Sequence, residues 1–179
     1  MATFDEVTHD LIDTLASVNK ENVIDLHYHM EYGDPDPMNM NNPVPPSTRS
    51  FTYGIPQVPY TVLEGGSFLN HRYAYSDLNM ELMEEQVRLL TLEHPPFDID
   101  LSVEWLADRL EASASVTCLK DNFDDYLQLY LVVFETEVTA YTGRNGDTHF
   151  RNVVLDMLPT AAGTLLDDNW CQGTNEVQN

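Results

Sequence analysis

Residues 97–105 read Phe-Asp-Ile-Asp-Leu-Ser-Val-Glu-Trp and alternate strictly between apolar and polar side chains. Successive side chains of a β-strand point to opposite faces, so this pattern predicts a strand with one apolar and one polar face. Residues 110–119 carry apolar or small side chains at every second position, which predicts a second strand. These two segments indicate that a strand-rich region begins near residue 97.

Two more strands are predicted downstream, over residues 126–141 and 150–158. The intervening residues 143–147 read Gly-Arg-Asn-Gly-Asp, a composition typical of hairpin turns. Four alternating strands without a helical period predict an antiparallel, immunoglobulin-like β-sandwich over residues 96–179. The polar tail from residue 167 onward is expected to fray.

The preceding half of the chain mixes helical and strand patterns. A capping box and apolar residues at helical spacing predict a helix over residues 3–18, and the apolar segment 23–29 predicts a strand. A second strand is predicted over residues 58–64, and Ser76-Asp77 is expected to open a helix that stops before two consecutive prolines at 95–96. These elements predict an α+β first domain over residues 1–95, with a domain boundary near residue 95.

Residues 30–59 hold most of the ten prolines together with several asparagines and methionines. This composition predicts a long ordered loop without regular secondary structure. Loops of this kind commonly carry binding residues, so we call residues 30–59 the proline-rich segment and treat it as a candidate recognition surface.

The chain is strongly acidic, with 30 Asp and Glu against 8 Lys and Arg and a formal net charge of −22. This balance excludes nucleic-acid binding, because few cations are available to neutralise phosphates. A hydrophobic content of 42% is sufficient for a packed core. No apolar run is long enough to span a membrane, and the first twenty residues carry acids where an export signal needs basic residues, although a signal could precede Met1.

Cys118 and Cys171 are the two cysteines and form no Cys-x-x-Cys pair. Two interpretations remain open: two unrelated thiols, or a single disulfide between them in an oxidising compartment. The chain also lacks a Gly-x-Ser-x-Gly elbow and a glycine-rich phosphate loop. No catalytic motif is therefore identified.

Two candidate metal sites lie next to each other in the sequence. His27 and His29 are two residues apart on the predicted strand and share a face, which Glu31 would join if the strand continued. Alternatively, the two histidines end the strand and hydrogen-bond to the proline-rich segment. Asp34 and Asp36 offer hard oxygen ligands for calcium, although they do not follow the twelve-residue calcium loop, and a solvated acidic loop is the alternative.

Arg49 lies near the centre of the proline-rich segment. It is a candidate for orienting an anionic group there. The alternative is a salt bridge that fixes the segment to a nearby carboxylate.

Several short motifs occur together in a fixed order. They are Asn22-Val-Ile-Asp-Leu-His-Tyr-His29, Asp34-Pro-Asp-Pro37 and Val58-Pro59 in the first half, and Phe97-Asp-Ile99, Asn145-Gly146 and Phe150-Arg-Asn-Val-Val154 in the second. In this order the chain resembles a family of bacterial outer-membrane-associated proteins, the twenty-eight-kilodalton outer-membrane-protein-related group, with a thioredoxin-like and an immunoglobulin-like domain. The resemblance covers most of the chain.

The resemblance implies that Val58–Pro59 is the cis-proline that thioredoxin folds place beside their redox site. In redox-active relatives, a strand and a Cys-x-x-Cys directly precede the helix that is predicted here from residue 3. Those residues would lie upstream of Met1. The first domain has therefore either lost its redox chemistry or has it encoded before residue 1.

These observations predict a non-enzymatic, extracytoplasmic or cell-surface binding module in the periplasm, on the outer membrane or secreted. Its ligand would be a protein or peptide bound by Arg49, Val58, Pro59 and Tyr60. The alternative is a thiol-disulfide oxidoreductase whose cysteines lie upstream. No cofactor is predicted, with calcium as the alternative in a third interpretation, calcium-stabilised adhesion. A homodimer that pairs open sheet edges also remains an alternative.

Overall fold

The computed structural model describes residues 14–15, 22–31, 33, 35–66, 68–74, 80–121, 126–143, 146–166 and 170–178. Within these residues the chain is α+β, with few helices and mostly antiparallel strand pairs, an arrangement compatible with a β-sandwich. The helices are α1 (Pro37–Asn41), α2 (Val44–Tyr53) and α3 (Met80–Leu90). The strands are β1 (Tyr60–Val62), β2 (Arg72–Ala74), β3 (Phe97–Trp105), β4 (Leu110–Cys118), β5 (Leu127–Leu129), β6 (Leu131–Val138), β7 (Phe150–Leu158), β8 (Thr164–Leu166) and β9 (Asn175–Gln178).

The chain forms two compact units, and each is built from two separate stretches of sequence. Unit 1 comprises Met1–Leu92 and Tyr130–Gly163, and unit 2 comprises Glu93–Leu129 and Thr164–Asn179. The β6–β7 hairpin therefore belongs with the first part of the chain, whereas the sequence predicts it in a sandwich that starts at residue 96. This grouping rests on pairing between distant segments, which leaves no local pattern in the sequence.

Unit 1 contains two antiparallel strand pairs. β1 pairs with β2, and β6 pairs with β7 from Val138↔Phe150 to Leu131↔Leu158, with a register shift at Val133/Phe134. The predicted hairpin is confirmed by the antiparallel pairing of β6 and β7, while residues 144–145 of its turn lie outside the described residues. The strand predicted over residues 126–141 is interrupted at Tyr130. β5, on one side of that residue, pairs with β8 in unit 2, and β6, on the other side, pairs with β7.

The strand predicted over residues 23–29 is reduced to one isolated parallel bridge, His27↔Val153. The His27 amide donates to the Asn152 carbonyl at 2.9 Å, and the Val154 amide donates to the His27 carbonyl at 3.0 Å. No ladder continues on either side within the described residues 22–31. The segment is extended, as predicted, but it is attached to β7 at a single point.

The prediction that the proline-rich segment lacks regular structure is wrong, because it contains α1 and α2. Proline is tolerated in the first helical turn, where its missing N–H has no intrahelical acceptor in any case. Both helices have proline in this turn, and Asp36 caps α1 by accepting from the amides of Met38 and Asn39. The prolines thus start helices here.

Buried apolar side chains in unit 1 form three clusters. One contains Leu15, Tyr73, Met83 and Val87; the second contains Val138, Phe150 and Val153; the third contains Val154, Met157 and Ala161. α3 contributes Met83 and Val87, four residues apart on one helical face, as its sequence pattern predicts. The start of that helix, residues 76–79, and most of the predicted helix 3–18 lie outside the described residues, although Thr14 and Leu15 are helical.

Unit 2 contains a three-stranded sheet in the order β3-β4-β9 and the β5–β8 pair. β3 and β4 occupy the predicted positions and pair without interruption from Phe97↔Cys118 to Trp105↔Leu110. The expectation that the tail frays is wrong for residues 175–178, because β9 pairs with β4. Val116, Cys118, Leu166 and Trp170 form the buried core, with Phe97, Leu127 and Leu129 packed against it.

Both cysteines are free thiols, so the disulfide alternative does not hold in this structure. Cys118 is buried in the core of unit 2 and its Sγ donates to the Lys120 carbonyl at 3.2 Å. Cys171 is exposed, and its Sγ lies 3.3 Å from the hydroxyl of Thr174. Within the described part of the chain, no helix is long and apolar enough to cross a membrane.

Candidate functional site

Arg49 places a permanent positive charge inside unit 1, because the residue is only 7% exposed. It follows Pro45 by four residues and precedes Tyr53 by four, so the three side chains share the inner face of α2. The guanidinium carbon of Arg49 lies 3.6 Å from the ring centroid of Tyr130 and 5.6 Å from that of Tyr53. Both distances are within the range of a cation–π interaction.

The charge of Arg49 is compensated by aromatic rings and a phenol. Burial raises the pKa of Tyr28 above its usual 10.0, while the charge of Arg49 and its hydrogen bond to Tyr28 oppose that rise. No ion pair among the described residues includes Arg49, so the salt bridge proposed as its alternative role is not found there. Its Nε is buried and has no hydrogen-bond partner among the described residues, which leaves one donor for an acceptor oxygen.

A second polar cluster joins the extended segment to β7. His27 Nε2 donates to Asp25 Oδ2 at 3.2 Å, and Asn152 Nδ2 donates to Asp25 Oδ1 at 2.8 Å. The hydrogen bond from His27 is the main reason why the pKa of Asp25 lies below its usual 3.8. Asn152 adopts a left-handed conformation with φ +47° at this contact, a conformation that Asn tolerates better than most residues.

His29 contacts the proline-rich segment. Its Nδ1 donates to Asp36 Oδ2 at 3.0 Å, and its carbonyl accepts from Asn39 Nδ2 at 2.8 Å. Its ring also packs edge-on against Phe150 with centroids 5.5 Å apart. The interpretation that the histidine hydrogen-bonds to the proline-rich segment is therefore confirmed for His29.

The predicted metal ligands do not form a common site in the described residues. His27 binds Asp25 while His29 binds Asp36, and Asp36 is engaged as a helix cap. Asp34 lies outside the described residues. Elsewhere in the described ranges, no group of three or more His, Cys, Asp or Glu side chains is placed to hold a metal ion.

The remaining predicted ligand-binding residues are Val58, Pro59 and Tyr60. The Val58–Pro59 peptide bond is cis, as predicted, and all three residues are half-buried. Tyr60 begins β1 opposite Ala74 of β2. The cation–π contacts and the hydrogen bond of Arg49 go to other tyrosines, so the structure does not join it to Tyr60 through these interactions.

Sequence reasoning missed Tyr28, Tyr130, Asp25 and Asn152. Tyr28 lies between the two candidate histidines and Asp25 lies two residues before them. Their partners are distant in sequence, because Tyr28 is hydrogen-bonded to Arg49 of α2 and Asp25 accepts from Asn152 of β7. Only the four-residue spacing of Pro45, Arg49 and Tyr53 could have indicated that Arg49 faces inward.

Comparison with known proteins adds no relative to this description. No family model, no curated protein and no solved structure matches the chain.

Proposed function

We propose that this protein is a non-enzymatic binding module that recognises a protein or peptide ligand through the outer face of α2. The observation that carries the proposal is the exposure of Phe51, whose side chain is 89% accessible. Val44, two helical turns earlier on the same face, is 59% exposed. Exposed apolar side chains grouped on one helix face are typical of interaction sites.

The inner face of α2 supports this surface rigidly. Pro45, Pro46 and Arg49 are buried beneath it, and Arg49 is stacked on Tyr130. A side chain held on a fixed helix loses little conformational freedom on binding, and pre-organisation of this kind improves affinity.

Neighbouring contacts hold the ends of α2 in place. At the C-terminal end, Nη1 of Arg72 donates to the Tyr53 carbonyl at 2.7 Å. At the N-terminal end, Asn41 donates to the Tyr141 hydroxyl at 2.6 Å, and Asn42 donates to the Leu155 carbonyl. The helix is therefore fixed to β2 at one end and to the β6–β7 hairpin region at the other.

The ligand chemistry follows from the surface and the charge of the chain. Phe51 and Val44 favour apolar or aromatic side chains, while the net charge of −22 favours ligands that carry Lys or Arg at their flanks. The proposal includes an extracytoplasmic or cell-surface location. It also includes a thioredoxin-like fold for the predicted domain 1–95 and an immunoglobulin-like fold for the predicted domain 96–179. The antiparallel sheets support the second of these assignments.

The test is selection from a displayed library of random short peptides on the full chain, followed by affinity measurement on variants. Phe51→Ala is expected to weaken the selected peptides by roughly 30-fold, as expected for a central aromatic anchor. Leu69→Ala, at an equally exposed apolar position of unit 1, is the matched control and should change affinity less than about threefold. Peptides that bind Phe51→Ala unchanged, or catalysed reduction of a protein disulfide by the chain, would contradict the proposal.

A further inference from the structure

β3 is an edge strand whose side chains remain open on both faces. In the order β3-β4-β9, β4 is the one strand among the described residues that pairs with it, over nine residues and without a bulge. Every residue from Asp98 to Trp105 is exposed. Edge strands normally carry features that block further pairing, such as Pro, a bulge or charged side chains. β3 has no Pro, Lys or bulge, and its charged side chains are all carboxylates.

One face of β3 is apolar and only partly covered. Phe97 packs edge-on against Trp170, with ring centroids 5.6 Å apart, and begins the core of unit 2. Beyond it, Ile99, Leu101 and Val103 are each more than half exposed, and Trp105 is 80% exposed. The face that forms the core at one end thus continues along the strand in contact with solvent.

The opposite face of β3 carries carboxylates. Asp98, Asp100 and Glu104 lie on it, and their partners in β4 are Thr117, Ser115 and Glu111. The adjacent cation, Arg109, pairs with Glu111 at 2.7 Å. No ion pair within the described ranges neutralises the three β3 carboxylates.

The charge on this face disfavours a second copy of the chain as the occupant. Antiparallel self-pairing centred on Leu101 would place Asp98 opposite Glu104 of the other copy, twice in each dimer. Like charges directly opposite each other destabilise a strand pair. The net charge of −22 on each copy adds long-range repulsion.

We propose that β3 accepts an extended segment of another protein as an added strand, and that this segment alternates apolar residues with Lys or Arg. Main-chain hydrogen bonds to the free edge would supply affinity, and the alternating side chains would supply specificity. The apolar residues would extend the row formed by Ile99, Leu101, Val103 and Trp105, while the cations would lie against Asp98, Asp100 and Glu104. This surface belongs to unit 2 and is independent of the ligand proposed for α2.

Synthetic peptides of nine residues, the length of β3, provide the test with the full chain. One peptide alternates Val and Lys, one alternates Val and Glu, and one has the composition of the first with all Val before all Lys. Trp105 emission reports binding, because Trp170 is buried and less sensitive to an added surface ligand. Hydrogen exchange of the β3 amides reports whether a strand has formed.

We expect the alternating Val and Lys peptide to bind at least tenfold more tightly than either control, to weaken with added salt, and to protect β3 amides. Asp100→Lys should weaken it at least tenfold. Glu135→Lys, the same charge change at an exposed site of β6, should change affinity less than threefold.

Three results would overturn the proposal. The first is equal affinity for the alternating and block Lys peptides, which indicates charge attraction alone. The second is binding without added protection of β3 amides. The third is a concentration-dependent dimer of the unmodified chain that protects β3 and is lost in Leu101→Lys, which identifies a second copy as the occupant.

Discussion

The stack of Arg49 on Tyr130 provides the sharpest test of how the proline-rich segment is held. The perturbation is a double-mutant cycle with Arg49→Met, which keeps a linear apolar stem, and Tyr130→Leu, which removes the ring. A desolvated cation 3.6 Å from a ring centroid is coupled to it by about 2 kcal/mol. The second ring, Tyr53 at 5.6 Å, and the hydrogen bond to Tyr28 remain in the Tyr130 variant and do not enter this coupling.

The two single variants are expected to differ in a characteristic way. Tyr130→Leu leaves a buried charge without its main partner, so it should destabilise unit 1 by about 3 kcal/mol or more. Arg49→Met removes the interaction and the desolvation cost together, so its effect should be smaller. In the Arg49→Met background, Tyr130→Leu should therefore cost about 2 kcal/mol less than in the unmodified chain.

Native-state hydrogen exchange of the β6 and β7 amides is the assay, since both tryptophans lie in unit 2 and do not report on unit 1. The expected coupling corresponds to about a 30-fold difference in opening equilibrium. The control cycle uses Arg109 and Glu111 of unit 2, whose side chains are 62% and 54% exposed; read from the amides of β3 and β4, it should give less than about 1 kcal/mol. A coupling between Arg49 and Tyr130 that is no larger than this control would refute the reasoning.

Three further perturbations test local contacts of unit 1. Asp25→Asn should lower the free energy of unfolding by about 1.5 kcal/mol at pH 7. Because the pKa of Asp25 in the folded state is depressed below 3.8, this difference should be complete above pH 3.8 and disappear as the pH falls through the folded-state pKa. Urea unfolding at several pH values checks it. Asp36→Ala should speed hydrogen exchange in the first turn of α1 by an amount equivalent to about 1 kcal/mol, whereas Asp36→Asn, which retains a capping oxygen, should speed it less. Gly66→Ala should lower the melting temperature more than Gly65→Ala. Both positions have φ near +67°, but only an alanine at position 66 would place its Cβ 2.8 Å from Val62 Cγ1. Equal shifts in melting temperature would mean that this contact is relieved without cost.

Strictly alternating segments were predictable because their signal is local. β3 matches the predicted residues 97–105 and β7 matches residues 150–158, while β4 ends one residue before its predicted end. The turn between β6 and β7 was likewise predictable from its Gly and Asn residues. The alternation of apolar and polar side chains within these segments favours strands independently of contacts with distant parts of the chain.

The errors have two physical causes. The prolines of the proline-rich segment contribute to a composition that predicts a loop, but several of them lie in the first turns of α1 and α2, where proline removes no needed backbone donor. The other errors concern pairing between distant segments: the bridge at His27, the interruption at Tyr130 and the attachment of β9. The environment of Arg49 belongs to this second group, because the ring that stacks on it comes from a different part of the chain.

Each unit combines two stretches of sequence that are separated by part of the other unit, and this affects both proteolytic cleavage and synthesis of the chain. A break near residue 95 would separate α3 from the β6–β7 hairpin and so divide unit 1, which also needs residues 130–163, whereas all strands of unit 2 would stay on one fragment. On the ribosome, unit 1 is incomplete until that hairpin has emerged, and unit 2 until β9 has emerged. Most of the polypeptide must therefore be synthesised before either unit can fold completely, so the folding of the N-terminal residues depends on residues that are synthesised much later.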